Sequence, residues 1–288
     1  MATREELERW RHAVQSRFPL LGRFIRRRAI AALEARRDDP EVVPVLVEAL
    51  GVADPKVMNR AGAALRALRD QRAVDALCAL WAESREDRLA TIITERGYVA
   101  SQPCRVRALS GLKAGGLELL RQADGELTRE LVAALKDKDT RVGGNADAAL
   151  RALANHAGID TLCALWADSR EERLATIISE RGYVASQPWT VRVLSALKCN
   201  ACLALERADL VPPLVAALTD RDEVIRSRAL ATLEGLPPGP TRDTLCDAAI
   251  EEPPGPAARI CVEKGMRPSD HERACLFLFV TRQLDAYF

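Results

Sequence analysis

The sequence predicts an all-α chain: a right-handed α-solenoid of tandem antiparallel helix pairs, with no β-sheet. Three observations carry that expectation. The 39 residues from Asp75 to Lys113 return from Asp160 to Lys198 at an offset of 85, with 31 of the 39 positions identical; repetition at this period marks supersecondary units that stack on their neighbours. Apolar residues recur at helical spacing along most of the chain, and no stretch alternates with period two between hairpin turns. The composition is 48% hydrophobic but only 4% aromatic, so the core is built from Ala, Leu, Val and Ile, of which Ala and Leu are the strongest helix formers.

Residues 1–38 are expected to form an N-terminal helical cap. Leu7, Trp10, Val14 and Phe18 fall at helical spacing before Pro19. A second helix runs through Leu21, Phe24, Ile25, Ala29, Ala32 and Leu33, with Arg23, Arg26, Arg27 and Arg28 on its outer face. A terminal unit of a repeat array needs one apolar face for its neighbour and one polar face for water. The arginines are read as that polar face rather than as a phosphate-binding patch.

Residues 39–250 hold the repeats. A short helix from Val42 to Leu50 carries Pro44 in its first turn, where a missing N–H is harmless. Asp54 caps the next helix with Pro55 at its first position, and Val57, Ala61, Ala64, Leu65 and Leu68 make one buried stripe. The pair recurs twice: Leu46, Leu131 and Leu214 correspond, as do Val57, Val142 and Ile225, and Leu65, Leu150 and Leu233. The third copy, from about residue 211, is partial; Pro-rich turns follow Leu236 and the Trp-Ala-Glu-Ser run is lost.

Between the pairs lies the near-identical block. Val74, Leu77, Cys78 and Trp81 face inward on its first helix. Ser84 is expected to cap a second helix, with Asp87 completing a capping box, and Leu89, Ile92 and Ile93 line that helix. Gly97 ends it in a left-handed conformation, and Pro103 opens a third helix that Gly115 and Gly116 break. Each 85-residue unit thus reads as six short helices in three hairpins. Residues 251–288 are expected to be a C-terminal helical cap or the start of a following module, with Leu276, Phe277, Val280 and Leu284 as its apolar stripe.

The aspartates before each second helix (Asp54, Asp139, Asp222), followed by Val or Ile and Arg-Ala-Leu patterns, resemble HEAT repeats over roughly residues 40–250. The block LWAESR…ERGYVASQP…VRVLSALK resembles bacterial helical-repeat proteins whose arrays adjoin WD40 propellers or signalling NTPase modules. That resemblance implies a sensor or scaffold part of an armadillo-like array in a bacterial cytoplasm, and it carries no catalytic residue. A chromophore-lyase-like role, known for some HEAT-type proteins, is a more distant implication.

Chemistry gives little purchase for catalysis. HEAT-fold deoxyhypusine hydroxylases hold iron through several His-Glu pairs, whereas His12, His156 and His271 lie far apart and only His271-Glu272 forms the dipeptide. Cys199 and Cys202 form a lone CxxC and replace Ala114 and Leu117 of the sister copy, so they read as packing residues; zinc needs two further ligands. Cys78, Cys163 and Cys246 occupy one repeat position on an apolar helical face and read as buried thiols. No phosphate loop and no Ser-His-Asp grouping is present. The expectation is no enzyme, no cofactor and no metal.

Net charge is +1, from 42 basic and 41 acidic residues, which gives no global attraction to nucleic acid or anionic lipid. The charge-dense N-terminus lacks a signal-peptide core, and no apolar run reaches the ~20 residues that span a bilayer. A cytoplasmic protein is expected, without a membrane partner. Binding is sought where the copies differ: Met58-Asn59-Arg60 against Gly143-Gly144-Asn145 against Arg226-Ser227-Arg228, and Cys104-Arg105 against Trp189-Thr190. Asn59, Arg60, Arg105, Arg141, Asn145, Trp189, Thr190, Arg226 and Arg228 are the candidate binding residues for a protein or peptide partner. The rival is nucleic acid: Arg60, Arg66, Arg105, Arg107, Arg141, Arg151, Arg192, Arg226 and Arg228 fall on inner-type helices and could form a row of phosphate contacts.

Overall fold

Single residues set where the helices start and stop, and they are the same residues in each copy. The structure is a computed structural model that describes residues 2–16, 22–201, 207–253 and 255–282. Phe18, Pro19, Leu21, Cys202 and Leu284 lie outside the described residues. The fold is all-α, of the α-solenoid class, with eighteen helices and no strand among the described residues. It divides into two compact units, Met1–Ala154 and Asn155–Phe288.

The first unit comprises α1 (Arg4–Val14), α2 (Gly22–Ala35), α3 (Val43–Leu50), α4 (Pro55–Arg66), α5 (Gln71–Ser84), α6 (Asp87–Arg96), α7 (Cys104–Ala114), α8 (Leu117–Leu120), α9 (Gly125–Ala134) and α10 (Thr140–Arg151). One row stacks α1, α3 and α5; the other stacks α2, α4 and α6. Helix α7 departs from the hairpin plan, because it packs on α5 and α6 before it and on α9 and α10 after it. Val106, Ala108, Leu109, Ser110, Gly111 and Leu112 are consecutively buried there apart from Arg107, and small side chains permit approach from several sides. Buried Ser110 is satisfied: its hydroxyl accepts from the Ala100 amide (2.9 Å) and donates to the Val106 carbonyl (2.7 Å).

The second unit comprises α11 (His156–Ser169), α12 (Glu172–Arg181), α13 (Trp189–Cys199), a 3-10 turn Ala208–Leu210, α14 (Val211–Ala217), α15 (Glu223–Glu234), α16 (Pro240–Glu251), α17 (Pro256–Glu263) and α18 (His271–Val280). Here α13 plays the part of α7, packing on α11, α12, α14 and α15. The third copy runs further than its lost Trp-Ala-Glu-Ser run implies. Asp75, Asp160 and Asp243 each accept from a serine amide 26 residues on, Ser101, Ser186 and Ser269, at 2.7, 2.6 and 2.7 Å. Gly97, Gly182 and Gly265 all hold φ near +65° (66°, 66° and 62°). After each, an amide closes the helix end: Tyr98 to Ile93, Tyr183 to Ile178 and Met266 to Cys261. Helices α16, α17 and α18 therefore repeat the plan of α5, α6 and α7.

Asp54, Asp139 and Asp222 cap α4, α10 and α15 through their carboxylates, which accept from Lys56, Arg141 and Val224 amides at 3.0, 3.0 and 2.9 Å. Each capping aspartate also faces a cation from the preceding helices: Arg26 at 3.8 Å, Lys113, and Lys198 at 2.8 Å. Burial works to raise the Asp139 and Asp222 carboxyls, but the lysine hydrogen bonds and backbone amides overcome it and hold both below the ordinary range. A folded-state value below the unfolded one adds stability that is present above the unfolded value of ~3.9 and lost as pH falls through the folded value. Thermal melts of Asp139→Asn and Asp222→Asn are therefore expected to fall less between neutral pH and pH values under ~4 than those of the parent chain.

Two expectations are corrected. Ser84 does not cap α6: it is the last residue of α5, its hydroxyl accepts only the Glu86 amide at 3.4 Å, and Glu86 precedes α6 without a side-chain cap. Arg85 intervenes at φ 56°. Its guanidinium lies 5.1 Å from the Trp81 ring, donates to Ala82 and pairs with Asp137 at 2.9 Å; Arg170 does the same with Trp166, Ala167 and Asp220. A tertiary pair thus outweighs the local capping signal. Second, the terminal stripes are phased differently. Phe24 is 67% exposed while Ala29, Ile30 and Leu33 are buried, and in α18 Phe277 and Leu278 are buried while Leu276 and Phe279 face outward.

Candidate interaction surface

Of each variable triplet only the middle residue faces solvent. Asn59, Gly144 and Ser227 are exposed. The third position is half-buried and engaged by the fold. Asn145 donates to the Leu112 carbonyl (2.6 Å), and Arg228, at the same repeat position, donates to the carbonyls of Leu197 (2.6 Å) and Lys198 (2.8 Å). Both add a donor at the C-terminal end of α7 or α13, where the Gly115 and Asn200 amides also reach the Leu112 and Leu197 carbonyls. Arg60, the first-copy equivalent, makes a two-toothed ion pair with Glu34 of α2. At the first position Gly143 is buried and Arg226 donates to the Asp220 carbonyl (2.7 Å). Arg60, Asn145 and Arg228 thus join neighbouring helices, and Arg226 ties α15 to the turn before it.

Arg105, Arg141 and Thr190 are exposed, and no described residue hydrogen-bonds to their side chains. Within the first unit, Arg105 and Asn145 do not share a site. Arg105 stands at the start of α7, whereas Asn145 bonds Leu112 near its end; ten helical steps separate the ends of α7 by roughly 15 Å. Trp189 is half-buried, with Arg192 and Arg207 at 5.6 and 5.4 Å from its ring centre, so its π-face already holds cations.

What the structure does bring together is a ridge along each second helix. Lys56, Asn59 and Ala63 share one face of α4; Arg141, Gly144 and Ala148 share that of α10; Val224, Ser227 and Ala231 share that of α15. Residues three and four apart are surface neighbours on a helix. That rule, applied backward and forward from Asn59, would have found Lys56 and Ala63 from sequence. Arg141 borders a shallow groove of about 340 Å³ with Thr91, Thr94, Glu95 and Lys113. Lys56 borders a larger one, about 890 Å³, with Arg23, Arg26 and Arg27.

The arginine row is largely spent inside the fold. Arg66 pairs with Glu95 at 2.6 Å and Arg151 with Asp147 at 2.5 Å, in addition to Arg60, Arg226 and Arg228. At the start of α7 the Cys104 thiol is pushed up by burial and by the charges of Glu126, Asp124 and Glu130. Cys199 donates to the Ile178 and Tyr183 carbonyls, both at 3.3 Å, and burial pushes its thiol up to about 11. No group of three or more His, Cys, Asp or Glu within metal reach occurs among the described residues, and no described helix is long and apolar enough to cross a membrane.

Residues 24–95, covering α2 to α6, match the family model for HEAT repeats. This segment is built of HEAT repeats. The internal duplication carries the same helix plan beyond this segment, so of the ridges just described the one on α4 lies within the matched residues. HEAT repeats typically mediate protein interactions and are generally non-catalytic scaffolds. An engineered protein of known crystal structure is similar over 94% of this chain and 87% of its own, at 15% identity and a TM-score of 0.24. No curated protein matches this chain.

Proposed function

We propose that the chain is a non-catalytic recognition module, a scaffold that presents ridges to protein or peptide partners, on α4 and α10 in the first unit and on α15 in the second. The observation that carries this is a contrast. Framework contacts recur, among them the aspartate caps and the Arg85–Asp137 and Arg170–Asp220 pairs, while the ridge changes chemistry from Lys56-Asn59-Ala63 to Arg141-Gly144-Ala148 to Val224-Ser227-Ala231. Small residues at the ridge centres let a partner backbone approach closely, and the flanking cations and threonines supply polar anchors. The setting that fits is a bacterial cytoplasm.

Charge reversal tests the reading without disturbing the fold. With the partner captured from the source cell as ligand, Lys56→Glu, Asn59→Glu and Arg141→Glu are expected to weaken binding at least about tenfold, a loss of ~1.4 kcal/mol each, with unchanged melting temperature. Unchanged affinity in all three removes the ridge as the binding surface. Duplex DNA provides the contrasting arm. With only Arg105, Arg107 and Arg141 of the arginine row exposed and outside any ion pair among the described residues, a three-phosphate contact limits the salt slope to about −3. Fluorescence anisotropy is expected to show no binding to DNA at ~0.15 M salt; micromolar affinity there would favour nucleic acid instead.

A further inference from the structure

The third copy keeps the plan of the other two but has lost the parts that hold them. Ala249 stands where Trp81 and Trp166 fill the core, Pro253 where Arg85 and Arg170 make their ion pairs, and Thr281 where Lys113 and Lys198 reach the next cap. One replacement runs the other way. Cys261 stands where Ile93 and Ile178 are buried, directly facing Cys246, the thiol position common to all three copies. The two sulfurs are 3.9 Å apart, on adjacent packed helices α16 and α17, both free and both 0% exposed.

We propose that Cys246 and Cys261 are a redox pair that closes to a disulfide under peroxide, stapling α17 to α16 and firming the weakest copy of the array. The sulfurs need to approach by about 1.9 Å to reach bonding distance. The equivalent positions in the first two copies hold a Cys and an Ile, which cannot be joined, so the device belongs to the third copy alone.

The chemistry assigns the two thiols different parts. The hydrogen bond shared with Cys246 and the Arg242 guanidinium favour charge on Cys261, which is held below the ordinary thiol range against the effect of burial. Cys246 is raised, by its hydrogen bond to Cys261, by burial, and by the nearby Asp243 and Asp247. Cys261 therefore ionises first, giving up a proton to solvent. Its thiolate attacks one peroxide oxygen, the O–O bond breaks, and hydroxide leaves. Cys246 loses its proton to that hydroxide, forming water, and its sulfur attacks the Cys261 sulfenic sulfur. The S–O bond breaks, and the second hydroxide takes up the proton released at the start. Two thiols have lost two electrons and two protons, and hydrogen peroxide has become two waters. Burial of both sulfurs means that reaction proceeds through local opening of α17 and that the closed bond is shielded from exchange.

The test uses the full chain, native, exposed to hydrogen peroxide, then alkylated and digested for peptide mass mapping. The expected product is a cross-linked 246–261 pair lacking two hydrogens. The melting temperature of the oxidised chain is expected to rise by about 5–10 °C, as closure of a loop of ~15 residues gives. Dithiothreitol reverses the rise, and Cys246→Ala and Cys261→Ala abolish it. Recovery of Cys246 and Cys261 as unlinked thiols, as sulfinic or sulfonic acids, or in disulfides with other cysteines overturns the proposal. The mapping on the parent chain decides this even if the alanine variants unfold.

Discussion

Trp166→Ala is expected to destabilise the second unit by about 3–5 kcal/mol, the range for emptying a buried tryptophan site. Trp166 is 2% exposed and Trp81 1%, and each ring does two jobs. It fills the space inside its block, and its face holds the guanidinium of a left-handed arginine, Arg170 or Arg85, at 5.1 Å. Removing it leaves a cavity and also frees the arginine that reaches Asp220. Chemical denaturation followed by circular dichroism measures the loss. Trp81→Ala, at the duplicated position, is expected to fall in the same range. The third copy supplies a natural control: Ala249 already occupies this position, and Ala249→Trp, in a core built around the smaller residue, is expected to destabilise by about 1–3 kcal/mol through overpacking. A loss under ~1 kcal/mol for Trp166→Ala would mean that the block is held elsewhere.

Asp220→Ala is expected to cost about 3–5 kcal/mol, because it strands a buried cation. The Arg170 and Asp220 side chains are 15% and 9% exposed, joined at 2.6 Å. Arg170 already has one guanidinium nitrogen, Nη1, with no hydrogen-bond partner, so little is left to compensate it. The aspartate also accepts the Asp222 amide at 2.9 Å, which links this pair to the cap of α15 and, through Lys198, back to α13. Asp220→Asn retains an acceptor for that amide and is expected to cost less. The double variant Arg170→Met, Asp220→Ala removes the charge with its partner and is expected to recover most of the loss. A double-mutant cycle by denaturant unfolding gives the coupling; a coupling near zero would show the pair to be a surface ornament. The first-unit pair, Arg85 with Asp137, is more open on the arginine side at 34%, and Asp137→Ala is expected to cost less.

The helices themselves are legible in the chain. The aspartates at 54, 139 and 222, the glycines at 97 and 182, and the apolar stripes of α4, α5 and α6 each act within a few residues of their own backbone, so local spacing suffices to place them. Duplication extends that reading to the second unit without new information. The connections between helices are different. Whether Asn145 and Arg228 face a partner or a neighbouring helix depends on where the end of α7 or α13 lies, more than 30 residues away in sequence. Variation between copies at these sites looks like recognition and turns out to be two ways of meeting the same carbonyls. Likewise the left-handed turn at Arg85 is fixed by Trp81 and Asp137 together, and no capping rule contains Asp137. The third copy looks short in the sequence because its large residues are gone, while the contacts that define it, Asp243 with Ser269 and the turn at Gly265, survive on small ones. Sequence determined the periodicity, the caps and the buried stripes, because those are local. Only the tertiary structure decided which polar residues are joints, which form the exposed ridge, and which two thiols meet, because each of those is a distance between helices.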